Sequence, residues 1–316
     1  MVNQRVCKNC MSVVVALVSL LFFASSAFPW GSATHAYIDG NLGSKTPLKN
    51  LNEIYGGMAP DIFNFYPQTA QGGNDYYDLY IQTHYNALGL WAKAKAPLVS
   101  PLGKAAAFGF ASHANGQLGS TSFYGADYTA HGPGGNDAGY YVIDKAMTLW
   151  TYLEPQLQAS GIYLEYPVGV TVSHSIVEFA IDVMVAYRIP EGKGVGKKMI
   201  EATLLRTPEF PHLLVKAYGG SPGIDAIIVS AEREFRKTML IYGQALNQGT
   251  EAEAISAVAE LLAELAYSIY GIPVPSAFVA SALVGAEELC ADDYRAEIKD
   301  TITAVKAKLA SAGVRD

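Results

Sequence analysis

Five of the six histidines in this 316-residue chain fall with two aspartates and a glutamate in one order: His35, Asp61, His84, His113, Asp127, His131, His174, Glu178. Two pairs, Asp127/His131 and His174/Glu178, are four residues apart. On a helix that spacing puts both side chains on one face, roughly 5–6 Å apart at Cβ. Imidazole nitrogen and carboxylate oxygen bind zinc at about 2.0–2.2 Å, so each pair can grip one ion. The sixth histidine, His212, lies far downstream and joins no pair. The pattern suits metal-assisted hydrolysis, in which a metal ion neutralises charge gathering on oxygen. Such chemistry needs no serine or cysteine nucleophile, and no nucleophile elbow of the G-x-S-x-G kind is expected.

Helices must position these side chains. KAAAFGFASHANG is a short alanine-rich segment ending in glycine, which sets His113 in the last turn of a helix. PVGVTVSHSIVEFAIDVMVAYRIP reads as one buried helix starting after Pro167 and ending before Pro190. It carries His174 and Glu178 on one face, with Asp182 a turn further as the expected acceptor that orients a ligating imidazole. NDAGYYVIDKAMTLWTYLEPQL keeps apolar residues at three- and four-residue intervals up to Pro155. SPGIDAIIVSAEREFRKTMLIYGQAL, GTEAEAISAVAELLAELAYSIYG and a last stretch from about Pro275 continue the helical pattern. Segment 43–103 is rich in Gly, Pro, Asn and Tyr and reads as loops. The expected class is all-α, a multi-helix bundle.

At the N-terminus Arg5 and Lys8 precede the apolar run MSVVVALVSLLFFASSAF, with Ser25 and Ala27 at the −3 and −1 positions of a cleavage site. Residues 1–27 therefore read as a signal peptide, and the protein as secreted or periplasmic. An uncleaved anchor is the alternative, although the run is short for a span of about 20 residues. Cleavage removes Cys7 and Cys10 and leaves Cys290 alone, so the mature chain forms no internal disulfide. The net charge of −7, with no Lys/Arg cluster, argues against an electrostatic footprint for long nucleic acid. The 20 tyrosines suit an aromatic-lined cleft as well as an ordinary core margin.

FPWGSATH, GGMAPDIF, THYNALG, AFGFASH, GADYTAH and VSHSIVEFAID resemble the motif series of bacterial zinc-dependent phospholipase C, over roughly residues 30–190. The resemblance implies an all-α bundle of the phospholipase C/P1 nuclease type. It implies three zinc ions and hydrolysis of the phosphodiester on the diacylglycerol side of a phospholipid head group. Asp61, His84, His113 and Asp127 would then hold one zinc, with Asp61 also the general base. His131, His174 and Glu178 would hold a second. Asp127 would bridge to a third, completed by His35 and the backbone amine and carbonyl of Trp30. Phe63, Phe65 and Tyr66 would line the head-group pocket or pack in the core. On this division residues 28–190 form the catalytic domain, and 191–316 a helical extension packed on it.

Two departures from the family pattern bear on the third zinc. Phe28 and Pro29 stand between the cleavage site and Trp30, whose counterpart in the family is the mature N-terminus. Gln117 stands where the family places its aspartate, so Asp127 follows an inserted loop, GQLGSTSFYG. The expected substrate is a phospholipid or other phosphodiester, with transient contact to a membrane surface. Two other readings share the donor order. One is a P1/S1-type single-strand nuclease, whose series ends in aspartate where this chain has Glu178. The other is a catalytically silent envelope protein that keeps metal for structure or binding.

Overall fold

The computed structural model describes residues 30–44, 46–63, 75–113, 140–159, 161–270 and 273–315. Among these, the regular elements are all helical, as expected: α1 (Ser32–Leu42), α2 (Pro47–Met58), α3 (Asp75–Tyr85), α4 (Leu88–Ala94) and α5 (Pro101–His113) come first. They are followed by α6 (Tyr140–Ala159), α7 (Tyr166–Arg188), α8 (Val195–Leu205), α9 (Phe210–Tyr218), α10 (Pro222–Ala245), α11 (Glu251–Tyr270), α12 (Ser276–Cys290) and α13 (Tyr294–Ser311). Short 3-10 turns occupy Ala59–Phe63 and Pro190–Gly192. Residues 1–27, expected as a signal peptide, and Phe65, Tyr66, Asp127 and His131 lie outside the described residues.

Proline placement explains several helix starts. Pro47, Pro167 and Pro222 each sit in the first turn of a helix, where a missing N–H leaves no bond unmade. Segment 43–103, expected as loops, instead carries α2, α3, α4 and the start of α5. Pro155 does not end α6, which runs on to Ala159. The carbonyl that loses its partner there belongs to Thr151, an exposed residue, so water can satisfy it. The stretch from Pro275 is two helices, α12 and α13, and α8 and α9 lie between α7 and α10.

Small residues decide how α2 meets α5. A Cβ on Gly56 would overlap the backbone carbonyl of Ala106, and one on Gly109 would overlap that of Glu53. Main chain therefore meets main chain. Against this pair lies α1, buried on almost every side and packed also on α7 and α13. Residues beyond 190 contribute directly: α8 packs on α1 and α2, and α10 lies against the Ala59–Phe63 turn. One apolar cluster runs from Trp30 to Val314. Among the described helices, the Gly169–Arg188 stretch of α7 is long and apolar enough to cross a membrane, yet most of it is buried inside the protein, as in a core helix.

Ion pairs tie the outer helices to this core. Lys145 on α6 reaches Glu297 at 2.5 Å and Asp293 at 2.7 Å. Arg188 at the end of α7 reaches Glu251 at 2.5 Å and Glu287 at 2.6 Å. Burial pushes the Glu297 carboxyl up to about 7, against the pull of its Lys145 partner.

Two outcomes follow from these contacts. Gly56→Ala should lower the unfolding free energy by about 1–3 kcal/mol, because a backbone carbonyl cannot step aside. Gly220→Ala, where a Cβ meets nothing, should change it by less than about 0.5 kcal/mol. Equal urea midpoints for the two variants would contradict the crossing. For Glu297, the raised folded-state value means the native state binds the extra proton more tightly than the unfolded chain. Stability should therefore fall as pH rises from about 4.5 to 7. Glu297→Gln should flatten that slope, and a slope equal to the wild type's would refute the assignment.

Candidate metal centre

Three separate elements bring Asp61, His84 and His113 together. Asp61 sits in the 3-10 turn that continues α2, His84 in the last turn of α3, and His113 at the end of α5. All three are buried, and each offers a ligand atom within 4.8 Å of the others. His84 Nε2 lies 3.3 Å from Asp61 Oδ1, and His113 Nε2 lies 3.8 Å from the same oxygen. Donors held about 2.1 Å from one tetrahedral ion stand about 3.4 Å apart, so the spacing fits a metal with small adjustments.

Backbone carbonyls fix which nitrogen faces the carboxylate. His113 Nδ1 lies 2.7 Å from the Gly57 carbonyl, and His84 Nδ1 lies 3.0 Å from that of Tyr80. A carbonyl only accepts, so each Nδ1 donates, and in the neutral ring Nε2 keeps its lone pair. Thr83 adds a brace: its hydroxyl donates to the carbonyls of Pro60 at 3.1 Å and Tyr80 at 2.9 Å, joining α3 to the Asp61 turn. Two imidazole lone pairs thus face one carboxylate oxygen. A single proton can bridge only one of those contacts, whereas a cation between them serves all three donors. The residues fit a divalent metal ion, and the mixed N/O donor set is one that zinc accepts.

The other expected ligands take different places. The His35 ring on α1 stacks on His113, with centroids 3.9 Å apart and planes 15° from parallel. It therefore lies beside the three-donor set. On α7, His174 Nε2 is 3.1 Å from Glu178 Oε1, and both side chains are buried, so the i,i+4 pairing is formed. Trp30 is fully buried just before α1. Phe63 is buried in the apolar cluster at the end of its turn. His212 is exposed on α9.

Three features differ from the sequence reading. Asp182 does not orient an imidazole: its carboxylate accepts the Ala33 and Thr34 N–H groups and the Thr34 and Tyr242 hydroxyls. A G-x-S-x-G string does occur, at residues 219–223, but Ser221 is the N-cap of α10 and its Oγ accepts from Ile224 N at 3.4 Å. It joins two helices and is no strand-to-helix elbow. Finally, Asp39 was missed. It is fully buried on α1 and accepts from Ser112 Oγ, next to His113, at 2.6 Å. Burial holds its carboxyl well above the usual range, against the Ser112 hydrogen bond and with the Glu53 charge adding to the rise. Its signal was available, since Asp39 follows His35 by the same four residues that marked the other pairs.

The chain matches no protein-family model, no curated protein and no solved structure. The ligand assignment makes one direct forecast. Asp61→Asn should weaken zinc binding by at least about 10-fold in competition with a chromophoric chelator, while the far-UV circular dichroism stays native. Unchanged affinity would remove Asp61 from the set.

Proposed function

We propose that this chain is a zinc-dependent phosphodiester hydrolase of the phospholipase C type, built on the phospholipase C/P1 nuclease bundle and exported by its N-terminal segment. What carries the reading is the convergence of Asp61, His84 and His113 from three elements, in the order of the motif series. His174 and Glu178 would supply a second ion site together with His131, and His35 with Trp30 a third. Zinc, when bound, supplies Lewis acidity toward a phosphoryl oxygen and makes water a stronger acid near neutral pH.

The chain's own groups have defined tasks. Asp61 turns one carboxylate oxygen toward both imidazoles, and as general base it would take the proton that an attacking water gives up. His84 and His113 are held by the Tyr80 and Gly57 carbonyls, so their Nε2 atoms stay aimed without rotating. Burial around these groups excludes bulk water and strengthens their fields. Glu178, in place of the aspartate that ends the nuclease series, favours a phospholipid over single-stranded nucleic acid.

The test uses residues 28–316. Metal analysis should find about two or three zinc ions per chain. Phosphatidylcholine should yield phosphorylated head group, and single-stranded DNA should stay intact. Fewer than about one tightly bound zinc would sink the metal reading, and bound zinc with neither activity would favour a silent metal-binding protein. Glu178→Gln should lower zinc content while leaving α7 helical.

A further inference from the structure

The N-terminus of α1 has no cap of its own. Its N-cap residue is Gly31, which has no side chain to accept the free N–H groups of the first turn. The acceptor comes instead from α7, across almost half of the chain. Asp182 Oδ2 takes Ala33 N–H at 2.9 Å, and Oδ1 takes Thr34 N–H at 2.7 Å and the Thr34 hydroxyl at 2.6 Å. Tyr242 on α10 donates its hydroxyl to Oδ2 at 2.6 Å. Four donors from two helices thus close on one fully buried carboxylate. The fit is tight enough that a Cβ on Gly31 would overlap that carboxylate, which is why glycine precedes the helix.

Asp182 is also four residues beyond Glu178 and eight beyond His174, on the same face of α7. At the other end of its bonds, Thr34 immediately precedes His35. One side chain therefore fixes how far along α7 the first turn of α1 sits. We infer that Asp182 is a positioning residue that sets the register between His35 and the His174–Glu178 pair, so that the second and third ion sites proposed above keep their spacing. The inference rests on the metal-centre reading above. The His35–His113 ring stack extends the same register to the three-donor set. Ligand geometry tolerates displacements of only about 0.5 Å, so a helix released from its cap would hold its donors too loosely.

The test combines a stability cycle with cobalt binding in the mature chain. Gly31→Ala and Asp182→Ala should each destabilise the fold. Together they should cost less than the sum, because the shortened side chain vacates the space that the new methyl needs. Additive effects would overturn the contact as the register device. Asp182→Asn should weaken uptake at the more loosely held cobalt by about 10-fold and alter the visible d–d bands. Tyr242→Phe, which removes one of the four donors, should show the same change in weaker form. Val258→Ala, a buried position on α11, should lose stability yet keep the wild-type cobalt spectrum. A wild type that binds cobalt beside Asp182 variants of equal affinity and spectrum would overturn the positioning role and leave the metal centre standing. A wild type that takes up no cobalt would overturn both.

Discussion

Where α2 crosses α5 the two backbones touch, and the centre depends on that contact. The glycines at the crossing bring the Gly57 carbonyl within 2.7 Å of His113 Nδ1. Gly56 and Gly57 lie in the last turn of α2, and the turn holding Asp61 follows at once. Two of the three converging donors are thus placed by one packing event in which neither donor takes part. The third, His84, is joined to them through Thr83 and the Pro60 carbonyl. Even the space beside Gly57 is in use, since a Cβ there would overlap the Asp39 carboxylate. Close-packed interiors transmit small displacements, so the site inherits its accuracy from glycines that perform no chemistry.

That same crossing explains what the sequence could reveal. His113 at a helix end and the His174/Glu178 pair were legible, because alanine content, apolar periodicity and four-residue spacing are local properties. Asp61 and His84 were legible only through their order, since their segment is dense in glycine and proline and reads as loops. Gly56 there serves close approach within a helix, and composition alone does not separate that use from a turn. Asp182 had the right face of α7 but the wrong partner. Its true contacts are backbone N–H groups on a helix 148 residues away, a relation that no local pattern encodes. Asp39 is legible only when the four-residue spacing is applied to His35 as well, because the order of the histidines alone does not mark it.

A second regularity is how the interior accommodates acids. Glu232 is buried between Arg206 at 2.5 Å and the Tyr55 hydroxyl at 2.7 Å. Glu53 accepts the Ser44 N–H at 2.8 Å, and Glu297 meets Lys145. A buried carboxylate without such partners is costly, so each of these contacts excludes arrangements in which the partner is lost. Replacing them with apolar residues of similar volume would not necessarily weaken the fold. Glu232 and Glu297 join separate elements, since Glu232 ties α10 to Arg206 and to Tyr55 of α2, and Glu297 ties α13 to α6.

The packing of α13 on α1 bears on the order of assembly. These helices lie near opposite ends of the chain, so their contact closes a very long loop, and closures of that kind come late in folding. Until α13 arrives, α1 lacks part of its apolar enclosure. A helix of that length without a cap of its own is marginal in water. During synthesis its first turn must wait for α7, and its flank for α13. His35 is thus the first of the histidines to be made and among the last to be held in place, and its ring has to remain hydrated in the interval.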